Sequence, residues 1–294
     1  MPELPEVETI VRSLAPGICG RVIERAELLF KPLLRRAPRG GLAVLAGKRV
    51  LNVRRRGKMA IVECEGGLSL VFHLKMTGQL LLAGRGEARD IHTRLVVKFS
   101  DGGAELRFRD IRKFGFLLCV KGAPESACAE LSCLGPEPLD ITIEDFGRAL
   151  SGRKARIKGL LLDQSVIAGI GNIYADEILF DSRIHPVTRA PALSKNDVGR
   201  LWESTRKILA LAIDAKGSTL RDYVDAEGKP GGFQLFHKVY DREGEPCVTC
   251  GSPVKRIRVA GRSSYFCARC QRRGGRDKAA KTSPAAWTNS AKKR

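Results

Sequence analysis

The chain has no apolar run long enough to span a bilayer and no apolar leader at its start, so nothing marks it as membrane-embedded or secreted. It has no internal repeat, which excludes an array of stacked units. Acidic residues are scarce: 32 Asp and Glu stand against 52 Lys and Arg, a formal charge of +20. A pI of about 9.9 points to a polyanionic partner. A membrane surface is the rival reading. The cations, however, gather in glycine-bordered loops such as 54–58 (RRRGK) and 107–115 (RFRDIRKFG), and do not line one helix face. That distribution favours a nucleic acid, with affinity carried by phosphate contacts and falling steeply with salt.

What is present in quantity is cysteine. Cys247-x2-Cys250, sixteen intervening residues and Cys267-x2-Cys270 give the spacing of a four-thiolate zinc site. The strand-like run 255–259 before the Gly261-Arg262 turn predicts a hairpin between the two pairs. With every position filled by protein the zinc is structural, one per chain, and a hairpin this small depends on it to fold. Cys19, Cys64, Cys119, Cys128 and Cys133 lack ligand spacing and read as reduced thiols of a cytoplasmic protein.

The other end carries different chemistry. Removal of Met1 would leave Pro2 as the terminal residue, a secondary amine with Glu3 and Glu6 close in sequence. Such an amine can add to a carbonyl-level carbon and form an iminium ion, an electron sink. Val7, Ile10, Val11 and Leu14 recur at helical spacing, so a helix begins beside the amine. Its N-terminal end lowers the amine pKa, whereas ionised Glu3 or Glu6 raises it. The plain alternative is that Pro-Glu is only a good helix opening.

Between these ends the pattern predicts an α+β chain of several parts. Residues 1–121 read as a helix followed by a β-sandwich, with strands at 22–29, 50–53, 60–64, 68–74, 95–99, 104–108 and 116–120. Residues 122–138 carry three prolines and read as a linker. Residues 139–237 read as helical, at 142–150, 154–163, 173–180 and 195–216, with Thr142 and Asp145 as a capping pair. The zinc hairpin occupies 238–272, and the basic tail 273–294 is predicted to be disordered.

At this level of detail the chain resembles the bacterial formamidopyrimidine-DNA glycosylase family. The resemblance rests on PELPEVET at the start, HLKMTGQL at 73–80, RFRDIRKFG at 107–115 and LLDQSVIAGIGNIYADE at 161–177. It extends through GSTLRDY with GKPGGFQ after it, and the four cysteines. It implies a repair enzyme that excises oxidised purines, 8-oxoguanine and formamidopyrimidines, and then cuts the strand by β,δ-elimination. It also implies an N-terminal β-sandwich, a helix-two-turns-helix domain and a zinc finger, in a bacterial, nucleoid-associated monomer.

Residue by residue, the resemblance makes Pro2 the nucleophile at C1′ and Glu3 an acid or base, and it fills the family's Glu6 position. Lys58 matches a phosphate-contacting lysine credited with proton donation in β-elimination, and Arg262 an arginine linked to δ-elimination. Asn172 falls on a phosphate-binding asparagine at a helix start, where free backbone N–H groups meet an anion. Met76, Arg112 and Phe114 match residues that fill the space left by a flipped-out base. His92 and the pair Arg153 and Lys154 match DNA-backbone contacts, with one of the pair expected to make its contact.

Three positions depart from the family pattern: Lys75 replaces a usual glycine, Ile111 a usual proline, and Gly232 an often aromatic residue. They bear on wedge geometry and lesion preference. Two alternatives stand beside the main reading. An endonuclease VIII-like enzyme for oxidised pyrimidines commonly has glycine at the Leu4 position and lacks the GSTLRDY loop. A non-catalytic zinc-finger DNA-binding protein would not need Pro2, Glu3, Lys58 and Arg262 together.

Overall fold

A computed structural model describes residues 1–84 and 86–273 of the chain, so the predicted basic tail from residue 274 onward lies outside the described residues. The chain forms two compact units: residues 1–134 with 213–231, and residues 135–212 with 232 onward. The class is α+β, as the sequence predicts.

The first unit opens with helix α1 (Leu4–Ile18) and continues through β1 (Ile23–Leu28), β2 (Leu34–Arg36), β3 (Val50–Arg56), β4 (Met59–Cys64) and β5 (Leu68–His73). Strands β6 (Gly78–Ala83), β7 (Thr93–Phe99), β8 (Glu105–Asp110) and β9 (Phe116–Lys121) follow. They make two sheets, one ordered β1-β7-β8-β6 and the other β2-β9-β5-β4-β3. Val7, Ile10, Leu14 and Ile18 of α1 are buried with Leu80 and Phe108 of the first sheet and Phe72 and Leu117 of the second. The helix is therefore part of the sandwich core, and each such side chain contributes about 1.5–3 kcal/mol of burial. This packing fixes where the N-terminus emerges.

Strand β6 was not legible in the sequence. Its residues Gly-Gln-Leu-Leu-Leu-Ala include none of the β-branched or aromatic types that favour strands, and only pairing with β8 decides its form. The stretch after β9 is also more than a connector. It forms two short helices, α2 (Pro124–Ala127) and α3 (Ala129–Ser132); Cys128 between them and Leu131 of α3 cover Ile61, Val71 and Leu118 on the outer face of the second sheet. Both faces of β4 and β5 are apolar for that reason.

The second unit contains α4 (Ile143–Leu150), α5 (Ile157–Leu162), α6 (Asn172–Asp181), most of α7 (Lys195–Asp214) and the hairpin of β10 (Lys255–Val259) and β11 (Arg262–Phe266). Thr142 caps α4, its hydroxyl accepting from Asp145 N at 3.1 Å. Helix α6 is amphipathic in no simple sense: Ile173 to Phe180 are all buried, Asp176 and Glu177 included. Those two carboxylates hold the C-terminal segment. Asp176 accepts from Tyr265 N and Ser264 Oγ of β11, and Glu177 from the backbone of Lys238, Val239 and Tyr240. No helix among the described residues is long and apolar enough to cross a membrane.

Candidate active site

Pro2 is buried, and Glu3 serves as the residue before the first turn of α1. The Glu6 carboxylate reaches back to accept from Glu3 N at 2.8 Å and also accepts from Ser218 N at 2.7 Å. One buried carboxylate thus satisfies an orphan helix donor and ties the N-terminus to a loop more than two hundred residues away. Gly217 in that loop has φ +77°, and a Cβ there would lie 2.8 Å from Glu6 Oε1. Gly217 is required by this approach as well as by its left-handed conformation. Tyr223 closes the loop by donating to Lys216 O at 3.0 Å.

Lys58 sits in a two-residue turn between β3 and β4, where Arg56 faces Met59. Gly57 at φ +56° takes the left-handed position that such hairpins demand. Arg55, before the turn, pairs with Glu8 of α1 at 2.9 Å and also donates to Gly57 O, so the turn is anchored to the same helix that carries Glu3 and Glu6. Lys58 is only 8% exposed. His73, on the next strand, is held at a pKa of about 3 by burial first and then by the charges of Lys75, Lys58 and Arg35. It is neutral at physiological pH and accepts from Lys75 N at 3.0 Å.

The three residues expected to act as a wedge come together. Met76 lies in the β5–β6 loop and Arg112 and Phe114 in the β8–β9 loop. Arg112 Nη1 approaches Met76 Sδ at 3.0 Å, and its guanidinium lies 4.8 Å from the centre of the Phe114 ring. Met76 is 44% and Phe114 50% exposed, with Ile111 exposed beside them. Apolar groups at this exposure have no partner in the core, which sets them apart from ordinary packing residues. Their common anchor is Asp110, buried at the end of β8: it accepts from Thr77 Oγ1 at 2.6 Å and Gly115 N at 2.8 Å, while Thr77 Oγ1 accepts from Arg112 N at 3.1 Å. Sequence reasoning missed Asp110 and Thr77. The signal was there: Asp110 is the only acid in RFRDIRKFG.

Lys75 has φ +54°, a left-handed conformation that costs a non-glycine residue about 1 kcal/mol, and this is the position where the resemblance leads one to expect glycine. His92 is half-buried near the same anchor; its carbonyl accepts from Asp110 N, and Arg94 donates to its Nδ1 at 3.3 Å.

In the second unit Asn172 begins α6, and its Oδ1 is buried without a partner among the described residues. Arg153 and Lys154 are both exposed ahead of α5. Arg153 is tethered to Ala149 O at 2.9 Å, whereas the Lys154 ammonium has no partner among the described residues. Arg262 opens β11 opposite Val259, exposed and equally without a side-chain partner among the described residues.

The cysteines converge. Tetrahedral zinc with Zn–S bonds of about 2.3 Å separates its sulfurs by about 3.8 Å. The Sγ atoms of Cys247, Cys250, Cys267 and Cys270 all lie within 4.8 Å of one another, at 3.9 Å for Cys247–Cys270 and 3.5 Å for Cys250–Cys267. The set fits one structural zinc. Its hairpin is fastened from behind by Lys158, 0% exposed, whose ammonium donates to Asp176 at 2.8 Å and to Ser263 O at 2.7 Å. Burial still pushes the Asp176 carboxyl up to about 6. Ser263 adjoins Arg262, so the buried pair positions the turn that presents that arginine.

Comparison with known proteins matches three family models in order: a formamidopyrimidine-DNA glycosylase N-terminal domain over residues 1–117, the corresponding H2TH domain over 134–224, and a zinc finger found in FPG and IleRS over 244–273. A formamidopyrimidine-DNA glycosylase of Solibacter usitatus is 47% identical over 278 residues, covering 93% of this chain and 100% of the relative. One of Desulforamulus reducens is 43% identical over 277 residues, 92% of this chain and 99% of the relative. Among solved structures, the MutM (Fpg) protein of Thermus thermophilus matches with TM-score 0.83 at 42% identity, covering 92% of this chain and 98% of its own. The wild-type Lactococcus lactis Fpg bound to DNA containing N7-benzyl-Fapy-dG matches at 0.85 and 35%, covering 92% and 100%. The same protein bound to DNA with an oxidised pyrimidine matches at 0.84 and 34%, again over 92% and 100%. With three consecutive domains and nearly the whole length accounted for, this chain belongs to the formamidopyrimidine-DNA glycosylase family.

Proposed function

We propose that this protein excises oxidised purines from double-stranded DNA and then cleaves the strand, acting as a monomer through a Schiff base on Pro2. The observation that carries the reading is the clamp around the N-terminus, where Glu3 and Glu6 are buried beside Pro2 and Glu6 joins α1 to the 217–231 loop.

Once Met1 is removed, the Pro2 nitrogen attacks C1′ of the damaged nucleoside. The C1′–N bond to the base breaks, the base leaves with a proton, and the sugar ring opens as the C1′–N iminium forms. Glu3 shuttles the proton. The iminium acidifies C2′; loss of that proton expels the 3′ phosphate, and a second elimination expels the 5′ phosphate. Lys58 holds the phosphate beside the lesion and serves β-elimination; Arg262 serves the δ step with a charge that is permanent and a fork that grips phosphate. Met76, Arg112 and Phe114 enter the stack as the base flips out. His92, Lys154 and Asn172 hold the backbone, and zinc keeps Arg262 presented.

The test is borohydride trapping on a duplex with 8-oxoguanine opposite cytosine, followed by mass mapping. A cross-link on Pro2 is expected, and a Pro2→Gly variant that cut as fast as the parent would overturn the mechanism. The Lactococcus lactis complex with an oxidised pyrimidine favours a second reading, a wider lesion range. The same trapping on an oxidised-pyrimidine duplex tests it.

A further inference from the structure

The second unit contains a cavity of about 520 Å³ that none of the groups above occupies. Four arginines line it, Arg156, Arg189, Arg258 and Arg273, with Thr188 and Ile257, and no acidic side chain takes part. Arg156 and Arg189 face each other across an antiparallel bridge, fixed on either side by Ile157 N to Thr188 O at 2.8 Å and Ala190 N to Ala155 O at 3.1 Å. Directly opposed like charges destabilise a pairing, and here the backbone places two cationic residues side by side on the cavity wall. Arg258 arrives from β10, and the hairpin turn at Ala260 lies against Gly159 in the first turn of α5. Arg273 is close enough for its charge to add to the burial that holds His185 at about 4. None of the four guanidiniums has a carboxylate or other side-chain partner among the described residues. Elsewhere in the same unit arginines do pair with carboxylates, as Arg200 does with Asp197 and Arg242 with Glu245.

We infer that this arginine-lined cavity is an additional phosphodiester site, gripping the backbone of bound duplex DNA beyond the contacts made by Lys154, Asn172 and Arg262. Guanidinium forks suit phosphate oxygens bidentately, and a concave set of four holds a phosphate group from several sides. The cavity is continuous in sequence with both ends of the proposed interface: Lys154 lies two residues before Arg156, and Arg262 four residues after Arg258. The inference rests on the DNA-binding part of the proposed function and not on its chemistry.

The test compares full-length parent protein with Arg189→Gln/Arg258→Gln/Arg273→Gln, all exposed positions, and with a charge-matched control, Lys31→Gln/Arg39→Gln/Lys121→Gln, in the first unit. Binding to an undamaged 24-base-pair duplex is followed by fluorescence anisotropy between 50 and 300 mM NaCl. Each phosphate contact contributes about 0.9 to the slope of log affinity against log salt, so the cavity variant should show a slope shallower by about 2 and the control no change. Equal changes in both variants mean a general field and overturn the inference. An unchanged slope, with the cavity variant losing only a thermal shift that pyrophosphate gives the parent, means a small-anion site and also overturns it. Borohydride trapping in parallel separates the readings: an unchanged slope with Pro2 still trapped sinks the cavity alone, whereas a parent that binds no duplex sinks both.

Discussion

The two units hold their working loops by different physics. In the first, the β5–β6 and β8–β9 loops and the N-terminus hang on single buried carboxylates, Asp110 and Glu6, that accept mostly from backbone N–H groups and a hydroxyl. In the second, a metal and a fully buried Lys158–Asp176 pair do the holding. A sandwich with a continuous apolar core needs only local polar pins. A short hairpin has too little core of its own, so it relies on zinc and on charges supplied by α6.

Breaking the metal site should have the largest effect. Cys250→Ser, or chelation, is expected to unfold the segment 244–273 while leaving the sandwich intact, since structural zinc in small fingers contributes on the order of 10 kcal/mol. Limited proteolysis should cut the hairpin and spare residues 1–121; retention of both would contradict the comparison.

The buried pair comes next. Asp176→Ala removes the carboxylate that the buried Lys158 ammonium donates to, an expected loss of about 3–5 kcal/mol. Lys158→Met/Asp176→Leu should recover part of it, short of the parent because Ser264 Oγ and Tyr265 N lose their acceptor. Thermal unfolding with zinc quantitation reads both.

In the first unit Asp110→Ala should cost less, about 2–3 kcal/mol for two buried donors left unpaired. Its diagnostic effect is on the wedge: base flipping, followed by 2-aminopurine fluorescence next to the lesion, should slow while zinc content stays at one per chain. Thr77→Val should give the same effect in weaker form.

The smallest effect is a pH dependence. His73 titrates near 3 in the folded protein against about 6.5 when unfolded. The unfolded chain therefore takes up the proton first on acidification. Stability from this group is complete above pH 6.5 and is lost as pH falls toward 3, about 1.4 kcal/mol by pH 5.5. His73→Gln should flatten that slope in a melting series from pH 7.5 to 5.

Much of the site was legible because its chemistry requires particular residue types. A thiolate set, a proline beside two carboxylates and glycine-led basic turns each have few substitutes, and they appear in the sequence as spacing and composition. Strand β6 was not legible, because three leucines in a row are compatible with helix or strand until β8 pairs with them. The proline-bearing stretch after β9 read as a linker because the apolar face it covers belongs to strands sixty residues earlier. Asp110, Thr77, Lys158 and Asp176 were missed for a related reason: a polar residue in a motif looks like surface until its buried partners are known.

The sequence by itself determined the partner class, the zinc ligands and the order of the parts, since charge and ligand chemistry are properties of residues and their spacing. Only the tertiary structure decided that Glu6 meets Ser218, that Asp110 ties the β5–β6 and β8–β9 loops together, and that four arginines line one cavity. Those facts depend on close approach between segments far apart in the chain, which hydrophobic packing sets and no local pattern encodes.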